Sequence, residues 1–104
     1  MDLYYSESFG PQLTLSTFTT EAEALELAND TEYGLAASVF TQDLRKGLRL
    51  ARGIESGAVH INGMSVHDEP RLVHGGVKSS GFGRFGGDAG MQEFLKTKTI
   101  TFVQ

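Results

Sequence analysis

Polar and apolar positions along this chain fall into short blocks of changing period. Leu13 to Phe18 (LTLSTF) alternates apolar and polar residues with β-branched threonine between them, the two-residue period of a half-buried strand. From Glu21 the spacing becomes helical, and EAEALELAND places Ala24, Leu27 and Ala28 on one face. Thr20 stands three residues ahead of Glu23, a capping-box arrangement, and Glu21 and Glu23 lie where the helix dipole favours negative charge. Tyr33-Gly34 interrupts the pattern, and Ala36 to Thr41 (AASVFT) then predicts a short inner strand. Asp43 predicts the cap of a second helix whose apolar stripe is Leu44, Leu48, Ala51 and Ile54, with Gly57 as its C-cap. Ala58 to Asn62 (AVHIN) predicts a third strand. A third helix covers about Asp88 to Lys96, and Thr97 to Val103 (TKTITFV) alternates as a last strand with no local partner.

These blocks predict an α/β fold class. Residues 13–62 form a partial parallel sheet in β-α-β-α-β order, joined by right-handed crossovers. Residues 63–87 form a long Gly-rich loop, 88–96 a helix, and 97–104 a final strand that pairs outside the local sheet. Residues 1–12 lead in as a loop turning at Phe9-Gly10-Pro11. The 104 residues make one unit, with too few helices to cover both faces of a parallel sheet. Exposed edges and apolar faces therefore predict another copy of the chain, a partner or further sequence.

Composition narrows the function. With 39% hydrophobic and 21% charged residues the chain is of ordinary globular type, and no apolar run approaches the roughly 18 residues of a membrane span. MDLYYSESFG lacks the basic-then-apolar pattern of a signal peptide, which leaves the cytoplasm as the expected compartment. A net charge of −4 speaks against nucleic acid, and the basic residues between Arg45 and Arg52 suit a solvated helix face. The chain has no cysteine, which removes disulfides, thiolate metal sites and a cysteine nucleophile of its own.

The stretch His74 to Gly87 (HGGVKSSGFGRFGG) carries six of the thirteen glycines, too many for a helix or strand interior. Gly81, Gly83 and Gly86 spell the dinucleotide fingerprint, but what precedes it reads as loop, not strand, and the chain ends before the acidic residue about twenty positions on. His60, His67, Asp68, Glu69 and His74 crowd together without the spacing of a compact metal site, so no metal is assigned. No spacing places a base against a serine, and no catalytic residue is assigned within the chain.

Five segments in order resemble the C-terminal part of the NAD(P)-dependent aldehyde dehydrogenase family: ESFGP (Glu7 to Pro11), LANDTEYGLAASVFT (Leu27 to Thr41), GAVHING (Gly57 to Gly63), GGVKSSGFGR (Gly75 to Arg84) and FLKTKT (Phe94 to Thr99). The resemblance covers a later piece of the catalytic domain and the last strand of the oligomerisation arm. It implies that Glu7 and Phe9 match the E-x-F motif, whose carboxylate holds the nicotinamide ribose of NAD or NADP. It implies that Asn62 to His74 walls the aldehyde tunnel, with Asn62, Met64, His67 and His74 as candidate lining residues. It also implies that Thr97 to Val103 joins a homo-oligomer or the rest of a longer enzyme. The family's cysteine and glutamate lie upstream of Met1, so the chain alone is expected to be inactive and to hold no cofactor.

The departures carry information too. Val73-His74 stands where many members have Pro-Phe, and Phe85 where many have glutamate. NGMSVHDEP and GRFGG resemble the branch that oxidises aromatic aldehydes such as vanillin or salicylaldehyde. The family pattern runs smoothly through Met1, which suggests an internal methionine and a truncated or internally started product. Two alternatives belong to other classes, a self-associating module without catalysis and an independent small-molecule binder. The second ranks last, because Glu7 and Phe9 alone cannot hold a dinucleotide.

Overall fold

A computed structural model describes residues 2–104; Met1, read above as an internal methionine, lies outside the described residues. The first described residues fold as a single helical turn, α1 (Asp2–Tyr5), where a loop was expected. Tyr4 and Tyr5 hold that turn by donating to Asp30. Residues 13–18 form no strand, and Leu13, Leu15 and Phe18 are exposed. Their alternation is genuine, but a strand exists only against a ladder partner, and the described residues place none beside them.

Helix α2 (Glu21–Asn29) starts as the sequence predicts, with the Thr20 hydroxyl accepting from the Glu23 amide at 3.2 Å. The Glu23 carboxylate accepts from the Thr19 amide at 2.8 Å, one residue earlier than a capping box requires. Asp43 caps α3 (Leu44–Gly53) by accepting from the Arg45 and Lys46 amides. That helix ends at Ile54, whose amide donates to Leu50, so Gly57 is not its C-cap. Helix α4 (Gly87–Phe94) opens on two glycines of positive φ, the N-cap Gly86 and its own first residue Gly87.

Strands β2 (Ala36–Val39) and β3 (Ala58–Ile61) pair in parallel, Ala36 opposite Ala58 and Val39 opposite Ile61, with α3 as the crossover. The class is thus mixed α/β with a small parallel sheet, cut to one β-α-β unit because 13–18 does not pair. A second ladder departs from expectation. Tyr33–Gly34 is a two-residue strand, β1, paired antiparallel with β4 (Val77–Lys78) inside the Gly-rich stretch. A bridge between His74 and Phe85 closes the base of that stretch. β4 is too short, and paired with the wrong sense, to begin a dinucleotide βαβ unit.

Helix α3 packs on β2 and β3 through Gly47, where an added Cβ would lie 3.0 Å from Ile61 and 3.1 Å from Thr41. Leu44 and Leu48, half of the predicted stripe, face outward instead. Among the described residues those buried outright are Gly34, Gly47 and Gly76, and no apolar side chain is buried. The radius of gyration is 17.9 Å, against about 13 Å for a compact domain of this length. The accessible area is 8889 Å², against about 5,700 Å² for a folded monomer of this mass. Residues 95–104 run on without strand pairing among the described residues, and Ile100 and Phe102 are 81% and 82% exposed.

Candidate functional site

The parallel pair β2–β3 gives the molecule two ends, and the predicted site residues divide between them. At the N-terminal end, Glu7 lines an open cleft of about 310 Å³ with Thr31, Tyr33, Leu35, Ser56 and Ser80. The cleft is built by close approach of backbones. Gly57 donates to the Gly34 carbonyl at 3.0 Å, and a Cβ on Gly57 would sit 1.7 Å from the Gly75 carbonyl oxygen. Any other residue at 57 would push the Gly-rich stretch off the sheet.

Lys78 locks this end. Its ammonium donates to the carbonyls of Asn29 at 3.0 Å and Thr31 at 3.1 Å and pairs with Glu55 at 2.7 Å. A cation over the last carbonyls of α2 suits the negative end of the helix dipole. Lys78 adopts a left-handed φ of 52°, a conformation disfavoured outside glycine and held here by those three partners. Asn29 completes the lock, donating to the Gly53 carbonyl and accepting from the Glu55 amide, each at 2.8 Å.

Two groups in the Glu7 cleft have unspent bonding capacity. The Glu7 carboxylate makes no hydrogen bond or ion pair among the described residues, whereas Glu55 is taken by Lys78. The Ser56 hydroxyl is buried and has no partner. A carboxylate without a protein partner on an open cleft suits a ligand rich in hydroxyl groups. Phe9 does not share the cleft, being 97% exposed beyond it.

At the C-terminal end, about 13 Å away by strand rise, Asn62 takes a left-handed φ of 58°. Its side chain accepts from the Thr41 amide at 2.8 Å and donates to the Thr41 carbonyl at 2.9 Å, tying the ends of β2 and β3. Met64 is 65% exposed, and His67 pairs with Glu69 at 3.3 Å. The His67 ring also stands edge-on to His60, with centroids 5.4 Å apart, and the buried His60 Nε2 lacks a partner. His74 does not join them. It lies beside the Gly57–Gly75 contact, tilted against Phe85 at 5.1 Å, and lines an aromatic hollow with Phe82 and Phe94.

Thus Asn62, Met64 and His67 share one end, Glu7 and His74 belong to the other, and Phe9 contacts neither group. Ser56 and Lys78 escape a sequence reading because each looks like an ordinary loop residue, and only the partner it lacks or has marks it; His60, weighed in the sequence as a metal ligand, is marked here by its unpartnered Nε2. No three of His, Cys, Asp and Glu converge to hold a metal among the described residues, and no helix there is long and apolar enough to cross a membrane.

Comparison with known proteins adds the following. The profile of the Aldehyde dehydrogenase family matches residues 1–100. Vanillin dehydrogenase of Pseudomonas fluorescens is 48% identical over 101 residues, covering 97% of this chain and 21% of that protein. The crystal structure of a salicylaldehyde dehydrogenase from Pseudomonas putida G7, complexed with salicylaldehyde, superposes with a TM-score of 0.89 at 42% identity. It covers 97% of this chain and 22% of its own. A betaine aldehyde dehydrogenase from Staphylococcus aureus in complex with NAD+ gives a TM-score of 0.85 at 43% identity, over 90% of this chain and 18% of its own. The chain spans about a fifth of the length of the curated relatives it matches.

Proposed function

The chain belongs to the aldehyde dehydrogenase family, and on that premise we propose that it is one segment of an NAD(P)-dependent enzyme oxidising an aromatic aldehyde to its carboxylic acid. The observation that carries this is the likeness to vanillin dehydrogenase, sustained at 48% identity over 97% of the chain. The absence of any buried apolar side chain and the excess accessible area support a segment that completes its core against further protein. The segment contributes the C-terminal part of the catalytic domain and, through Thr97 to Val103, a strand that joins subunits.

Within that enzyme Glu7 accepts from the two ribose hydroxyls of the nicotinamide nucleotide, a bidentate use suited to an unpartnered carboxylate. Phe9 packs beside the nucleotide once the surrounding protein is present. When bound, the dinucleotide supplies the hydride acceptor of the oxidation. Asn62, Met64 and His67 wall the aldehyde tunnel from the other end, where Asn62 sets the loop by gripping Thr41. His74, packed on Phe85 at the Glu7 end, lines a separate aromatic hollow and does not share that wall. The thiolate nucleophile and the base that releases the acid belong to other segments, since this chain has no cysteine, and the 104 residues alone are inactive.

The test is the full-length protein that carries this sequence, assayed for NAD+ and NADP+ reduction with vanillin, salicylaldehyde, benzaldehyde and betaine aldehyde. The proposal expects kcat/KM for an aromatic aldehyde at least about tenfold above that for betaine aldehyde, a gap of about 1.4 kcal/mol in transition-state binding. Preference for betaine aldehyde would overturn the aromatic assignment, and no nucleotide reduction with any aldehyde would overturn the activity.

A further inference from the structure

Residues 2–12, which carry Glu7, are attached to the rest of the chain at one point. Among the described residues, every hydrogen bond from this segment to the body ends on a single oxygen. Tyr4 Oη donates to Asp30 Oδ2 at 2.9 Å, and Tyr5 Oη donates to the same atom at 3.4 Å. The two rings stand edge to face, 4.7 Å apart at 79°, so each braces the other.

The anchor is firm. Asp30 is the C-cap residue of α2. The preceding Asn29 is bound to Gly53 and Glu55, and its carbonyl accepts from Lys78. Thr31 and Tyr33, which follow Asp30 directly, line the cleft that Glu7 also lines. Glu7 is three residues from Tyr4, about 10 Å of chain at full extension. Fixing the phenols on Asp30 therefore confines the Glu7 carboxylate to the neighbourhood of that cleft.

We propose that Tyr4 and Tyr5, clasped on the Asp30 carboxylate, are positioning residues that hold Glu7 in place for the sugar hydroxyls of the dinucleotide. This rests on the assignment of Glu7 to the sugar given above. The phenols touch neither substrate nor cofactor; they act by removing freedom that the Glu7 segment would otherwise lose on binding. The hydrogen bond to Asp30 holds the Tyr4 phenol above its ordinary range, with burial and the Asp30 charge adding to it. The clasp is therefore intact at neutral pH and opens only in strongly alkaline solution. The shorter Tyr4 bond makes Tyr4→Phe the more damaging single change, and two donors on one oxygen make the double variant worse than either.

The experiment measures NAD+ kinetics at saturating aldehyde in the full-length protein, comparing wild type, Y4F, Y5F, Y4F/Y5F, E7Q and the triple variant. The clasp predicts that Y4F/Y5F raises KM for NAD+ roughly tenfold, with kcat at saturating NAD+ within about twofold of wild type. It further predicts that E7Q alone raises KM and that adding Y4F/Y5F to E7Q raises it no more, because both act through one carboxylate. An equal rise in wild-type and E7Q backgrounds would overturn the clasp, as would an unchanged KM in Y4F/Y5F beside a raised one in E7Q. An unchanged KM in E7Q would overturn the sugar assignment itself, and the clasp with it. Asp30→Asn attacks the clasp from its other side, removing the anchoring charge while leaving both tyrosines in place; it should raise KM and bring the Tyr4 phenol down in an ultraviolet titration, and an unmoved phenol would also count against the clasp.

Discussion

Replacing Gly57 with alanine should loosen the cleft more than any other single methyl group added to this chain. The added Cβ would lie 1.7 Å from the Gly75 carbonyl oxygen and 3.2 Å from the Gly76 Cα. A real Cβ comes no closer than 3.0 Å, so the two backbones must part by about 1.3 Å. Neither can yield cheaply. Gly57 is bonded to Gly34, and Gly76 is buried with Ser80 packed where its own Cβ would be. Overpacking of this kind costs about 1–3 kcal/mol, and a strained Gly57–Gly34 bond adds about 1 kcal/mol. The sum of about 2–4 kcal/mol corresponds to a 30- to 1000-fold rise in local opening. Hydrogen exchange of the Gly57 and Phe85 amides in the full-length protein should accelerate by at least the lower factor. Gly63→Ala is the control, because its Cβ would meet only His60 Cβ at 3.7 Å, an ordinary contact. Exchange in G57A within about twofold of G63A would refute the claim that this close approach builds the cleft.

Three further perturbations test other joints. Lys78→Met keeps the length of the side chain but removes two hydrogen bonds to carbonyls and the Glu55 pair; we expect a loss of about 2–4 kcal/mol, read as a lower thermal midpoint of the full-length protein, and an unchanged midpoint would contradict the lock. Hydrogen bonds from Arg49 and then Lys46 hold the Glu21 carboxyl below the usual carboxylate range, so its contribution to α2–α3 packing is present above the unfolded value near 4.5 and is lost as pH falls through the lower folded value. Glu21→Gln should therefore flatten the acid limb of the stability profile, and an acid limb identical to wild type would contradict that assignment. Replacing both Ile100 and Phe102 with lysine should dissociate the assembly by light scattering; an unchanged mass would mean that residues 97–103 are not the joint.

Much of the fold is legible in the sequence where a signal is local. Thr20 and Asp43 announce the starts of α2 and α3 because a short side-chain oxygen satisfies helix amides within three residues. AASVFT and AVHIN read correctly as strands because each is the other's partner, and the chain contains both. LTLSTF has an equally good pattern but no partner among the described residues, so its period alone misleads. The Tyr33–Gly34 and Val77–Lys78 ladder is invisible for the opposite reason. Its two-residue strands are too short to show a period, and its stability comes from Lys78 and from glycines that let backbones touch. Leu44 and Leu48 show the limit of amphipathic patterning. The stripe marks a face that will be buried, but not whether this chain supplies the cover.

The candidate site follows the same division. Motif resemblance singles out Glu7 and Asn62, and the structure adds that they stand at opposite ends of the parallel pair, one unpartnered and one gripping Thr41. The Tyr4–Tyr5–Asp30 clasp depends on contacts across 25 residues or more, and Ser56 is marked only by a hydroxyl that lacks a partner; neither has a local signature.

The central claim is that these 104 residues work as a segment of a larger dehydrogenase, and the mass of the natural species tests it most directly. An antibody raised to this sequence, used on denatured extract of the source cells, should detect a polypeptide about fivefold heavier than 11.3 kDa, in proportion to the fifth of their length that the relatives share with it. A discrete species at 11.3 kDa with no heavier one would contradict the account.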